Sequence, residues 1–187
     1  MTAAASWSLF KDGLFGTKTK RTYSLTLDRS RPEGLRRFEA NLVDFLFNDA
    51  VGRDSFTILE TGFGLGLNFL AAWDLLRADR QGPARLHFVS VERHPFAARD
   101  LAEALAPFEE LRPLANALVA TWPPPIAGFH RLQFDGGRVQ LTLMAGDARE
   151  LLPQLEASAD AIFLDGFSPA RNPEMWSPEV VRELARV

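Results

Sequence analysis

Residues Phe56 to Asn68 read Phe-Thr-Ile-Leu-Glu-Thr-Gly-Phe-Gly-Leu-Gly-Leu-Asn, and few backbone arrangements accommodate that run. A short apolar strand meets an acid, Glu60. Glycines follow at every second position, Gly62, Gly64 and Gly66, and then an apolar stretch with helical spacing opens at Leu67 and Asn68. A βα unit laid against a nucleotide-like ligand has this form, because a glycine turn takes positive φ and lets a ligand approach the main chain. The spacing is Gly-x-Gly-x-Gly, not the Gly-x-Gly-x-x-Gly of dinucleotide sites. A carboxylate at Glu60 would repel a pyrophosphate and suit a sulfonium or ammonium charge, so the run points to S-adenosylmethionine ahead of NAD. Taken alone, it leaves a strand-to-helix turn that binds nothing as the lesser alternative.

A chain of 187 residues, 47% hydrophobic and 24% charged, has the length and composition of one soluble domain. It contains no run of about 18 apolar residues, which excludes a membrane-spanning helix. The first ten residues lack the basic start and long apolar segment of a secretory leader. Zero cysteines exclude disulfides and thiolate metal sites, and His87, His94 and His130 lie too far apart for metal-ligand spacing. The expectation is a cytoplasmic enzyme without a metal. The net charge of −3 conceals an asymmetry: residues 1–37 carry eight basic side chains against three acids, a balance of +5 that leaves −8 for the rest. A basic arm of this kind, holding Lys18, Lys20 and Arg21, suits local contact with phosphates. A solvated, fraying N-terminus would carry the same charge.

With no internal repeat and no low-complexity linker, the simplest division is a basic arm and lead-in helix over residues 1–50 and one domain over 51–187. Alternation in Tyr23 to Leu27 predicts a short strand. Leu35, Phe38, Leu42, Phe45 and Leu46 share one face of a helix over 34–47. Strands are expected at 56–59, 86–91 and 161–164, a hairpin around Asp135-Gly136-Gly137, and helices at 67–78, 96–105, 111–120 and 149–155. Trp122-Pro123-Pro124-Pro125 must be extended, as a stiff brace. Ser177 and Pro178 open a last helix as N-cap and first residue. Strands alternating with helices make this an α/β fold with a mainly parallel, doubly wound sheet.

In such a sheet the ligand lies beyond the carboxyl ends of the strands. Four acids fall there: Glu60, Glu92, Asp147 and Asp165. Glu92 stands 26 residues after Gly66, where a ribose-binding carboxylate belongs, and Asp147 suits the exocyclic amine of adenine. In the loop Asp165-Gly166-Phe167-Ser168-Pro169-Ala170-Arg171, an acid at a strand end is followed by an aromatic and a proline. That pattern fits methyl transfer to an amine. A carboxylate accepting the amine's N–H bonds aims its lone pair and helps remove a proton, while an aromatic stacks on a base.

From about Ile58 to Val187 the chain resembles the methyltransferase domain of the MnmC family, bifunctional enzymes of the tRNA wobble uridine. The resemblance rests on three stretches: Glu60 to Leu70, Trp122-Pro123 with Gly128-Phe129-His130-Arg131-Leu132, and the long run Leu164 to Trp176. It implies a Rossmann-like class I methyltransferase fold, S-adenosyl-L-methionine as donor, and the aminomethyl group of a tRNA uridine as acceptor. The expected product is 5-methylaminomethyl-2-thiouridine. It places Gly62, Gly64, Gly66, Asn68, Glu60 and Glu92 on the cofactor, Asp147 near adenine, and Asp165 with Phe167 at the target amine. Lys18, Lys20, Arg21 and Arg171 are assigned to the RNA. Members of the family continue past this point with further strands, so the sheet is expected to be C-terminally truncated, with an open edge beside the Asp165 strand. A flavin-dependent oxidase, or another chain completing the sheet, is the partner this implies. Two other readings stand beside it: a cofactor- or tRNA-binding remnant without turnover, and an NAD-dependent oxidoreductase. The second wants a Tyr-x-x-x-Lys pair, but the sole tyrosine is Tyr23 and no lysine follows Lys20.

Overall fold

The computed structural model describes residues 50–79, 81–164 and 172–187, together with the backbone of two strands at 5–11 and 21–27. These two, β1 (Ala5–Lys11) and β2 (Arg21–Leu27), pair antiparallel. The chain then runs through β3 (Phe56–Thr61), α1 (Leu67–Ala78), β4 (Leu86–Glu92), α2 (Ala98–Leu105) and α3 (Arg112–Ala120). After them come β5 (Gly128–Phe134), β6 (Val139–Ala145), α4 (Ala148–Leu151), β7 (Ala161–Leu164) and α5 (Pro178–Arg186). One seven-stranded sheet results, in the order β2-β1-β7-β3-β4-β6-β5. Its four central strands are parallel, and antiparallel strands close both sides.

Alternation along the strands divides the core into two layers. Phe56, Ile58, Phe88, Leu141 and Phe163 face α1, α2 and α3, where Phe69, Trp73, Leu76 and Leu118 meet them. Phe69 anchors an aromatic cluster with Phe88 at 5.4 Å and Phe134 at 5.7 Å, and Trp73 lies 4.4 Å from Phe134. On the other face Leu59, Val89, Val91 and Met144 pack against Ala148, Leu152, Val180 and Leu184 of the α4–α5 side. Ser177 caps α5 by accepting from the Val180 N–H, with Pro178 in the first turn, as its sequence predicts. The turn after β5 holds Asp135 at φ 47, a conformation uncommon outside glycine. Its carboxylate accepts from Trp73 Nε1 at 2.7 Å and lies 3.5 Å from Arg77, which ties the hairpin to α1.

Two expectations change. The edge beside β7 is not open: Ser8, Leu9 and Phe10 of β1 pair with Leu164, Phe163 and Ile162, so a strand from near the N-terminus satisfies the backbone groups there. For the same reason the division at residue 50 separates in sequence what the sheet joins. The lead-in helix expected over 34–47 lies outside the described residues.

Candidate active site

The parallel strands end together on one rim, and the glycine loop rises from the end of β3. Gly62, Gly64 and Gly66 all have positive φ, at 92°, 53° and 71°. Gly66 closes the loop and opens α1, whose N-terminus has no side-chain cap. A Cβ on Gly66 would lie 2.5 Å from the Phe63 ring, whereas one on Gly64 would meet nothing within 4 Å. The loop is therefore packed from beneath and open above, which is the shape a backbone-bound ligand requires. Phe63 is nearly buried and stacks 5.4 Å from Trp122, whose Nε1 donates to the Phe96 carbonyl at 2.9 Å. The Trp-Pro-Pro-Pro segment is thereby moored under the loop, in keeping with a brace.

Glu92, at the tip of β4, joins the rim together. Its Oε2 accepts from the Gly64 N–H at 3.0 Å and its Oε1 from the His94 N–H at 2.9 Å. Its own carbonyl accepts from the Gly146 N–H at 2.9 Å, which ties in the loop after β6. Each carboxylate oxygen offers two acceptor sites, so Glu92 retains capacity on both for a pair of hydroxyls.

Glu60 is placed otherwise than a direct contact to a ligand's charge requires. It is fully buried, paired in register with Ser90, and its carboxylate accepts from Ser90 Oγ at 2.7 Å and from Asn68 Nδ2. Glu60 and Asn68 thus bind β3, β4 and the start of α1 to one another beneath the loop. They fix the strand-to-helix turn from below, and a desolvated carboxylate in that position is tolerable only with such donors.

Asp147 caps α4 through the Arg149 N–H at 2.9 Å and takes a bidentate contact from the Arg149 guanidinium at 3.0 and 2.7 Å. These bonds to Arg149 hold the Asp147 carboxyl down at about 2, against an opposing push from partial burial, with Arg93 at 3.8 Å adding to the effect. The same two arginines reach Glu174, Arg93 at 2.7 Å and Arg149 at 3.3 Å. Glu174 belongs to the short 3-10 turn Pro173–Trp176, which precedes α5. Arg93 and Arg149 carry no motif of their own in the sequence, and Glu174 lies in the run Leu164 to Trp176 with no role assigned to it. The available hint was the proximity of Arg93 to Glu92 and of Arg149 to Asp147.

Asp165, Phe167 and Arg171 lie outside the described residues, as do Lys18 and Lys20. Leu164, which precedes Asp165, pairs with Thr61 at the end of β3, so the chain enters that loop beside the glycine turn. Arg21 opens β2 opposite Lys11. In β1, Ser8 is the residue level with Leu164, so Lys11 and Arg21 sit three residues, about 10 Å, below the rim. No group of acids and histidines with metal-binding geometry, and no helix long and apolar enough to cross a membrane, occurs among the described residues.

Residues 109–187 match a family described as S-adenosyl-L-methionine-dependent methyltransferase. The chain is 60% identical over 136 residues to the tRNA 5-methylaminomethyl-2-thiouridine biosynthesis bifunctional protein MnmC of Cupriavidus necator, and 62% identical over 136 residues to that of Aromatoleum aromaticum. Each alignment covers 73% of this chain and 21% of the relative, so the chain spans about a fifth of the length of these curated relatives. Among solved structures it is similar to MNMC2 from Aquifex aeolicus, with a TM-score of 0.62 and 24% identity over 96% of this chain and 56% of that one, a likeness of fold. The family match over residues 109–187 and the identities over 136 residues agree: across the matched part, the chain is a relative of the S-adenosyl-L-methionine-dependent methyltransferase portion of MnmC.

Proposed function

We propose that this chain transfers a methyl group from S-adenosyl-L-methionine to the aminomethyl group of a wobble uridine in tRNA, giving 5-methylaminomethyl-2-thiouridine. The observation that carries the reading is the glycine loop, open above Gly64 and held by the Glu92 carboxylate at the tips of parallel strands. The names of the relatives supply the acceptor. When bound, the donor would supply a methyl carbon activated by its sulfonium, open to in-line attack by an amine lone pair with the neutral thioether as leaving group. The chain's own residues then have positional tasks. Glu92 holds the Gly64 amide and offers its free lone pairs to the ribose hydroxyls. Asp147, kept ionised by Arg149, is an acceptor only, and its Oδ2 has one site left for an amine hydrogen. Asp165 accepts the N–H bonds of the incoming amine and takes its proton, and Phe167 stacks on the uridine. A flavin-dependent oxidase fits as partner, because the relatives are bifunctional by name.

Calorimetric titration with S-adenosylmethionine, with NAD as control, tests the donor half. Glu92→Ala should raise the dissociation constant about 10-fold through loss of charged-acceptor hydrogen bonds. Asp165→Ala should abolish methyl transfer to aminomethyl-bearing tRNA while leaving donor affinity within about twofold. Equal affinity of the folded Glu92→Ala variant for the donor would remove the ribose assignment, and tighter binding of NAD would overturn the reading.

A further inference from the structure

The two faces of the sheet are not equally covered. Among the described residues three helices lie over one face, whereas α4 and α5 cover the other where Leu59, Val89, Val91 and Met144 stand. The remainder of that face, over β4, β6 and β5, carries polar side chains in register. His87 is level with Gln140 and Gln133, and Thr142 with Arg131. None of these five is buried; Gln133 and Arg131 are exposed. Two covering layers are the rule for a doubly wound sheet, so a polar half-face calls for an explanation.

We infer that this polar half-face binds the phosphate backbone of a single-stranded segment of the RNA, through Arg85 and Arg131, with Phe129 stacking a base at the end nearest the rim. Unlike Arg53, Arg93 and Arg149, which are each committed to a carboxylate, Arg85 and Arg131 meet none among the described residues. Both act on His87 between them, whose pKa is lowered first by burial and then by these two cations, so their fields overlap on this face. The carboxylate at the margin of the face, Asp160 beside Thr57, is neutralised by Arg53. Phe129 lies two residues above Arg131 on β5, about 7 Å nearer the rim, is 45% exposed, and pairs with Met144. Its neighbour Gly128 is level with Ala145, which in turn is level with Glu92. A cationic track that ends in an exposed aromatic is how single strands are held without sequence preference. Gln133, Gln140 and Thr142 add donors for phosphate or ribose oxygens.

This inference rests on the reading that the acceptor is RNA, and the test separates the two. Binding of an unmodified tRNA transcript is followed by fluorescence anisotropy from 50 to 300 mM salt. The double variant Arg85→Gln/Arg131→Gln should lower the slope of log affinity against log salt by about 1.4 for two lost contacts to a single strand, and weaken binding roughly 25-fold at 0.1 M salt. Arg85→Lys/Arg131→Lys should restore the slope. Phe129→Ala should weaken binding about 10-fold with the slope unchanged. S-adenosylmethionine affinity and melting temperature should stay put in all three, since the substituted side chains are exposed. A wild-type slope in the glutamine pair, or a lost slope in the lysine pair, overturns the track and leaves the RNA reading standing. Failure of the unsubstituted chain to bind tRNA at all overturns both.

Discussion

Gly66→Ala should be far more damaging than Gly64→Ala in the same loop. Two terms add. At φ 71° an alanine enters the left-handed region, which costs roughly 1–2 kcal/mol. Its Cβ would also lie 2.5 and 2.6 Å from two atoms of the Phe63 ring. That ring cannot swing aside freely: it is 3% exposed, stacked at 5.4 Å on Trp122 and 6.3 Å from Phe69, and Trp122 is itself bonded to the Phe96 carbonyl. Overpacking of this kind adds roughly 1–3 kcal/mol, and the reduced freedom of the unfolded chain returns about 0.5. The net loss is about 2–4 kcal/mol, or roughly 5–12 °C in melting temperature for a domain of this size. Gly64→Ala is the control. It has the same handedness at φ 53° and open space around its Cβ, so it should lose only about 1 kcal/mol. Denaturant unfolding of both variants, and of Gly66→Ala in a Phe63→Ala background, completes the cycle. Removing the ring should bring the Gly66→Ala loss down to that of Gly64→Ala. Equal losses at the two glycines in the intact background would refute the argument, because the ring would then be no barrier.

Three further outcomes follow from the rim. Glu60→Gln sets an amide donor against the Ser90 hydroxyl or the Asn68 amide, in a fully buried position, and should lower stability by about 2 kcal/mol and the melting temperature by roughly 4–8 °C; an unchanged melting curve would contradict the buried network. Asp147 is depressed from 3.8 to about 2 chiefly by Arg149, so its stabilising contribution is complete above about pH 4 and lost as pH falls towards 2. Asp147→Asn should flatten the stability profile across that window and leave its shape near neutrality alone, and a wild-type acid limb in the variant would show the pair to be idle. Glu174→Gln frees Arg93 and Arg149 from the flank of the 165–171 loop. Because all three side chains are 41–52% exposed, kcat/KM for methyl transfer should fall by no more than about fivefold and recover at about 0.5 M salt. A loss above about 100-fold would mean that Glu174 touches the reacting groups.

The elements most legible in the sequence are those specified by local chemistry. Ser177-Pro178 fixed the start of α5, and alternating glycines fixed the turn out of β3, because caps and positive-φ positions depend on neighbours a few residues away. The pairing of Ser8 with Leu164 depends on backbone groups 156 residues apart, and nothing local in Ala5–Lys11 names its partner. Side-chain commitments behave similarly. Asp147 next to a helix start reads as an acceptor, but its bidentate hold by Arg149 and the bridge from Arg149 to Glu174 arise only once β6 and the 3-10 turn converge.

Height along the strands separates Glu60 from Glu92 and Asp147, acids in similar sequence settings. Glu60 and Glu92 sit on the same face of adjacent strands, yet Glu60 is level with Ser90, one pair below the last β3–β4 pair, Thr61 with Val91. At that level α1 covers the face, and the carboxylate is enclosed with Asn68 and Ser90. Glu92 stands one residue above that last pair, level with Ala145, where β3 has already turned away into the glycine loop. Its oxygens therefore meet loop amides and the open rim in place of core donors. Asp147 lies two residues beyond the end of β6, so it belongs by height with Glu92. The strand-end rule for doubly wound sheets thus needs the register to be useful. An acid inside the last cross-strand pair is enclosed by core donors, as Glu60 is, and an acid beyond it meets loop amides and rim cations, as Glu92 and Asp147 do.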